Sequence, residues 1–141
     1  MPFISASVIS PYNSIRGGAA GPAGTLLLDL YPGAEVAYSV RKLTNAYDGN
    51  AIEVRRTIGT PTSKYIGFVD DELDTASLLN FVGTSDGYVP TWYDQSGNNN
   101  NQTQGSFSAQ PDIVDTGALV TLNGNPTARF DNNPYMQNTI I

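Results

Sequence analysis

Between Ala34 and Tyr47, apolar side chains recur at the spacing of one helix face. Val36, Val40, Leu43 and Tyr47 fall at i, i+4, i+7 and i+11, while Glu35, Ser39 and Lys42 lie away from that line. The spacing predicts an amphipathic helix over 34–46, preceded by the apolar run Leu26–Leu30 with its Pro32-Gly33 punctuation and stopped by Asp48-Gly49-Asn50. The period then falls to two. Ile52, Val54 and Ile58 alternate with Glu53, Arg55 and Thr57, which predicts a half-buried strand ending at Gly59-Thr60-Pro61, with 65–69 placed to pair with it as a hairpin. A second short helix is expected over 73–83, capped by Asp74, ended by Gly83, and facing the core with Leu78, Leu79 and Val82. Residues 88–93 read as an aromatic strand, and Pro90 argues for an edge or a strand start. Ile113-Val114 and Leu119–Leu122 follow as short strands, and Asn123-Gly124 signals a hairpin into 127–130.

Two stretches break this pattern. Asp94-Gln95-Ser96-Gly97-Asn98-Asn99-Asn100-Asn101-Gln102-Thr103-Gln104 has almost no apolar content, so it is either a solvated loop or a surface clamp held by side-chain hydrogen bonds. Residues 1–25 are rich in Ser, Gly, Ala and Pro, with Phe3, Ile4, Val8, Ile9, Tyr12 and Ile15 spaced singly among them. A segment of this kind cannot bury enough surface on itself to offset backbone ordering, so it reads as an extended docking arm that gains its shape from partners. The expected organisation is therefore an arm, 1–25, and a compact α+β body, 26–141. That body is mostly β, with antiparallel strands and hairpins, an incipient jelly roll or β-sandwich, and two short helices.

Composition narrows the chemistry. The chain has 14 Gly and 9 Pro and only 14% charged residues, a turn-rich make-up that excludes a helical bundle. It contains no His and no Cys, so imidazole bases, thiolates and disulfides are unavailable to it, and zinc, haem or any other cofactor is not expected. A net charge of −6 with seven scattered basic residues argues against nucleic acid as a partner. No apolar run reaches the ~20 residues that cross a bilayer, and the start Met1-Pro2-Phe3-Ile4-Ser5 lacks the basic and apolar regions of a signal peptide, so membrane insertion is not expected.

The acids Asp70, Asp71, Glu72 and Asp74 invite a calcium reading but lack the alternation of an EF-hand loop, and solvating a turn is the simpler role. A hydrolytic carboxylate pair could be drawn from Asp86, Asp94 and Asp131, and spacing selects none. Tyr38, Tyr47, Tyr88, Trp92 and Tyr93 could stack on sugar rings, although core and interface packing is the commoner use of such residues. Arg41, Arg55, Arg56 and Arg129 are expected to pair with nearby acids, and at least one to brace Asp94, because a carboxylate beside a buried strand is costly unless paired.

The series Ala37-Tyr38-Ser39-Val40-Arg41-Lys42-Leu43, Tyr47–Arg56, Ile66-Gly67-Phe68, Leu73-Asp74-Thr75, Phe81-Val82-Gly83 and Thr91-Trp92-Tyr93-Asp94-Gln95-Ser96-Gly97-Asn98 resembles the opening part of the arabinofuranosidase B type catalytic domain, a concanavalin-like β-sandwich. It also resembles a group of tailed-bacteriophage virion proteins, over about 26–131, and the segment Val8–Arg16 resembles the start of the phage proteins only. In the enzymes the catalytic carboxylates lie beyond the matched portion, so the resemblance carries no catalytic residue to this chain. The lack of cysteines fits assembly in a reducing cytoplasm.

The resemblance implies a non-enzymatic structural protein of a phage particle, either a tail-fibre or appendage subunit or a head-decorating cement protein. Its arm would dock on capsid, neck or tail subunits, and its copies would form a homo-oligomer, for instance a trimer. The second expectation is an adhesin module binding host-surface glycans at Trp92, Tyr93, Asp94, Gln95, Ser96 and Asn98. A remnant of an arabinofuranoside hydrolase comes third.

Overall fold

Ile52 and Val54 point to one side of strand β1 (Ile52–Arg56) and are fully buried, while Glu53 and Arg55 stand on the other side and are partly exposed. This is the half-buried strand that the alternation predicts, except that it ends at Arg56 and leaves Ile58, expected on the same face, 73% exposed. The computed structural model describes residues 25–60, 62–131 and 134–138, so the expected docking residues Phe3, Ile4, Val8, Ile9, Tyr12 and Ile15 lie outside the described residues. Before β1 comes a single helical turn, α1 (Leu27–Leu30). After it come β2 (Ser63–Ile66), β3 (Phe68–Val69), β4 (Glu72–Leu73), helix α2 (Thr75–Val82) and β5 (Gly87–Trp92). The chain continues through β6 (Gln102–Thr103), a 3-10 turn at Phe107–Ala109, β7 (Asp112–Asp115), β8 (Ala118–Leu119), β9 (Thr121–Leu122) and β10 (Asn125–Pro126).

Six strands form one antiparallel sheet in the order β2-β1-β5-β7-β8, with β6 added to the far end of β5. The sheet curls into a half-barrel, and the whole is a small α+β fold with a mostly β body, as expected. Two-stranded ribbons, β3-β4 and β9-β10, flank it. Asp70 and Asp71 form the turn of the first ribbon at φ 50° and 65°, so these acids do solvate a turn. Asn123 and Gly124 form the turn of the second at φ 52° and 80°, the left-handed pair of a two-residue hairpin.

Helix α2 closes one face of the sheet. Asp74 caps it by accepting from the Ser77 N–H at 2.9 Å, and the helix buries Leu78, Phe81 and Val82, with Leu79 packed at the margin. Val82 approaches β5 so closely that a Cβ on Gly87 would sit 3.0 Å from its Cγ2 and 3.1 Å from the Val114 Cβ, which is why that position lacks a side chain. Ala51, Ile52, Val54, Ile66, Leu73, Val89, Ile113 and Val114 complete the core.

Four local expectations are corrected. Residues 34–46 are not helical: they run as an irregular strap in which Val40 packs against the core while Val36 is 40% exposed. The first of the two helices is instead the turn at Leu27–Leu30, which the apolar run did not reveal. Pro90 lies in a strand paired on both sides rather than at an edge. The register steps from Glu53↔Thr91 to Arg55↔Tyr88, so Val89 and Pro90 together oppose Val54, and the missing N–H falls in this bulge. The neighbouring groups are held, with Val89 N–H on the Pro111 carbonyl and Gln104 N–H on the Pro90 carbonyl, both at 2.8 Å. Finally, Leu119–Leu122 breaks at Val120, whose N–H turns to the Ile113 carbonyl at 2.9 Å, and 127–130 contributes only a bridge between Arg129 and Asp112.

Candidate functional site: the Asp94–Asn101 clamp

Where β5 ends, the chain leaves the sheet with Tyr93 and turns its next two side chains inward. Asp94 is 2% exposed and Gln95 1%. The Asp94 carboxylate accepts four hydrogen bonds. Oδ1 receives the Ala37 N–H at 2.8 Å and the Ser96 N–H at 2.9 Å, and Oδ2 receives the Ser96 hydroxyl at 2.7 Å and the Asn100 N–H at 3.0 Å. Burial pushes this carboxyl up, but the Ser96, Ala37 and Asn100 donors outweigh it and hold the group below its ordinary value of 3.8. The charge thus serves as a hub for backbone N–H groups.

Gln95 works beside it. Its Oε1 accepts from the Leu43 N–H at 2.8 Å, and its Nε2 donates to the carbonyls of Ser39 at 3.0 Å and Arg41 at 2.9 Å. Its own N–H reaches the Ala37 carbonyl at 2.8 Å. Asn98 and Asn100 donate their Nδ2 groups to the Glu35 carbonyl at 3.0 and 3.1 Å. Asn101 Oδ1 accepts the Asp94 N–H at 3.0 Å, and the Tyr38 hydroxyl donates to the Asn100 carbonyl. Asn138, from the far end of the described chain, donates to that same carbonyl at 2.8 Å.

This explains the strap. A helix over 34–46 would consume its N–H and C=O groups internally, whereas here the side chains of 94–100 take them one by one. Nothing in the apolar spacing of the strap signals this competition from residues more than fifty positions away. Asp29 ties the strap's other end to α1, accepting from the Thr44 hydroxyl at 2.6 Å, the Asn45 N–H at 3.1 Å and the Leu26 N–H at 3.2 Å. The Thr44 hydroxyl leads the hydrogen bonds that lower the Asp29 carboxyl. Sequence reading passed over Asp29, whose only signal is an acid inside an apolar run.

Comparison with protein-family models, with curated proteins and with solved structures finds no match. The chemistry of the motif therefore rests on its own geometry.

The residues proposed for a glycan loop divide accordingly. Asp94, Gln95, Ser96 and Asn98 direct polar atoms at the chain's own backbone, and Trp92 packs against the core. The aromatic platform is dispersed too. Tyr38 is bonded into the clamp, and Tyr47 donates to the Asn50 carbonyl at 2.8 Å with its ring edge-on to Phe68. Tyr88 and Tyr93 stand on the sheet's other face. Burial, with the charge of Glu53 second, pushes the Tyr93 hydroxyl up to about 12. The three carboxylates offered for hydrolysis are engaged separately. Asp86 accepts the Thr116 N–H at 2.8 Å, Asp94 holds the strap, and Asp131 pairs with Arg129 at 3.0 Å.

The arginines divide as well. Arg41 pairs with Glu72 at 2.5 Å, and Arg129 gathers Asp112, Asp115 and Asp131, as expected of cations near acids. Arg55 instead lies over the rings of Tyr88 and Phe107, and Arg56 lies over the ring of Phe81 and donates to the Phe81 carbonyl. Among the described residues no arginine braces Asp94, because backbone N–H groups and a hydroxyl do that work. Among the described residues no group of three or more acids converges as a metal site, and no helix is long and apolar enough to cross a membrane. A half-open cleft of about 210 Å³ lies beside the clamp, lined by Leu28, Pro32, Ala34, Thr44, Tyr47 and Gly97. The hydroxyls on its wall are already committed, Thr44 to Asp29 and Tyr47 to Asn50.

Proposed function

We propose that this chain is a non-enzymatic structural protein of a tailed-phage virion, a tail-fibre or appendage subunit or a head-decorating cement protein. It is assembled in the host cytoplasm and anchored to capsid, neck or tail subunits by its N-terminal arm. The observation that carries this reading is the commitment of Asp94, Gln95, Ser96, Asn98 and Asn100 to the chain's own strap: the most chemically suggestive residues are used to build a shape. A second observation supports attachment at the arm. The turn α1 follows directly on the arm and buries none of its residues, leaving Leu27 56%, Leu30 47% and Tyr31 70% exposed. Apolar side chains concentrated at the root of a docking segment extend the surface that neighbouring subunits would cover. Repeated copies, as in a trimer, would multiply such contacts by avidity.

The test is deletion of residues 2–22, followed by purification of particles assembled with the shortened chain. The expected result is a folded body with cooperative unfolding that fails to enter particles. Normal incorporation would overturn the proposal.

A further inference from the structure

Strand pairing sets a second group of side chains on the sheet face opposite the buried Ile52 and Ile66 and the partly buried Trp92. Glu53 is registered with Tyr65 on one side and Thr91 on the other, Arg55 with Tyr88, and Thr91 with Thr103, so all of them share that face. Tyr93 follows Trp92 onto the same face and meets Tyr65 edge-on, with ring centroids 6.3 Å apart. Arg55 lies at the other end of this row. Its guanidinium carbon is 4.9 Å from the centroid of Tyr88 and 4.3 Å from that of Phe107, a ring that is 67% exposed.

The cation is fixed as well as walled. Arg55 Nε donates to Gln110 Oε1 at 2.8 Å, and Gln110, 5% exposed, is itself oriented by donating Nε2 to the Gln104 carbonyl at 2.8 Å. Yet no acidic side chain among the described residues pairs with it, in a chain carrying 13 acids against 7 bases. The nearest acids have other partners: Glu53 accepts the Thr91 hydroxyl at 2.9 Å, Asp112 pairs with Arg129, and Asp86 takes the Thr116 N–H at 2.8 Å and the Tyr88 hydroxyl at 3.4 Å. A planar guanidinium pinned at Nε keeps its Nη edge for a bidentate carboxylate. Tyr88 and Phe107 hold the guanidinium by one face each, the outer face of the exposed Phe107 ring is open to the C–H side of a pyranose, and Glu53 and Thr91 provide acceptors for ring hydroxyls.

We propose that this face binds a carboxylate-bearing sugar, with Arg55 taking the carboxylate, Phe107 offering its exposed outer face to the ring, and Glu53 and Thr91 receiving its hydroxyls. The site is separate from the clamp and adds a host-surface contact to a virion protein, and its test does not depend on incorporation into particles. Titration of the full chain, followed by NMR, compares a hyaluronan tetrasaccharide, in which glucuronate alternates with a neutral sugar, with neutral chitotetraose, sodium acetate and an Asp-Glu peptide. The acidic tetrasaccharide is expected to shift the Arg55 Nε–H and the Tyr88 and Phe107 ring resonances at millimolar concentration, and chitotetraose is expected to leave them in place. Arg55→Gln should weaken binding about tenfold or more, and Phe107→Ala several-fold, with the sheet intact by circular dichroism. Phe107 is a surface residue, so its variant still reports if Arg55→Gln unfolds. No shift with the acidic tetrasaccharide, equal shifts with chitotetraose, or affinity unchanged in both variants would overturn the proposal. Acetate binding as tightly as the sugar would reduce the site to an adventitious ion only. The peptide binding more tightly than the sugar would reassign the face to an acidic protein partner.

Discussion

Replacing Gln95 by Leu removes three hydrogen bonds while keeping nearly the same volume, so it isolates the clamp's polar contribution. The Leu43 N–H loses its acceptor, and the carbonyls of Ser39 and Arg41 lose their donor. A neutral hydrogen bond contributes about 0.5–1.5 kcal/mol net, and a buried group left unpaired costs ~1–3 kcal/mol. The strap is only partly buried, so water recovers some of that loss, and the expected destabilisation is about 3 kcal/mol against a domain total of ~5–15 kcal/mol. Urea denaturation should register it as a lower midpoint at unchanged slope, since the core is untouched. Amide exchange should localise it: Leu43 loses protection, while the Ile52, Val54 and Val89 amides keep theirs relative to the new global stability. A loss under about 0.5 kcal/mol with Leu43 protection intact would show that the strap is held by packing of Val40 rather than by the clamp.

Two further outcomes follow from ionisable groups. The Asp94 carboxyl is held below 3.8, so it stabilises the fold above that value and the contribution is lost as pH falls through the folded pKa; Asp94→Asn should flatten the acid limb of the stability profile measured by urea midpoints. Asp29, Asp74 and Asp115 are lowered as well and act with the same sign, so part of the limb remains, and identical limbs in the two proteins would refute the role of the charge. Tyr93 is raised from 10.0 to about 12, so its contribution is present below 10.0 and fades as pH rises through about 12; Tyr93→Phe should lessen the alkaline loss and remove a late-ionising phenol from a spectrophotometric titration.

Sequence reading reached those parts of the fold whose causes are local. Ile52 and Val54 against Glu53 and Arg55, the Asp74 cap and the Asn123-Gly124 turn each carry their signal within a few residues, and each is found in place. It failed over 34–46, because Val36, Val40, Leu43 and Tyr47 have a helical spacing but share no single buried face, Val40 packing against the core while Val36 is exposed, and the side chains that capture the strap come from 94–100. It misjudged Pro90 for a related reason: the bulge that accommodates a proline in a doubly paired strand is a property of its neighbours β1 and β7. The polar stretch after β5 was legible as a possible clamp, but not its target. The row formed by Tyr65, Glu53, Thr91 and Arg55 becomes visible only once strand register is known.

The clamp also governs how the chain can come into being. During synthesis the strap leaves the ribosome some fifty residues ahead of Gln95, and its Leu43 N–H and Arg41 carbonyl lack that partner while it waits. Until Asp94 has emerged the Ala37 N–H lacks its destined partner, and the Glu35 carbonyl waits for Ser96, Asn98 and Asn100. Closing so wide a circuit carries an entropic toll that only the finished sheet can underwrite. Maturation should therefore occur as one late event rather than progressively from the amino end, and a nascent chain arrested before position 94 should remain protease-sensitive throughout the strap.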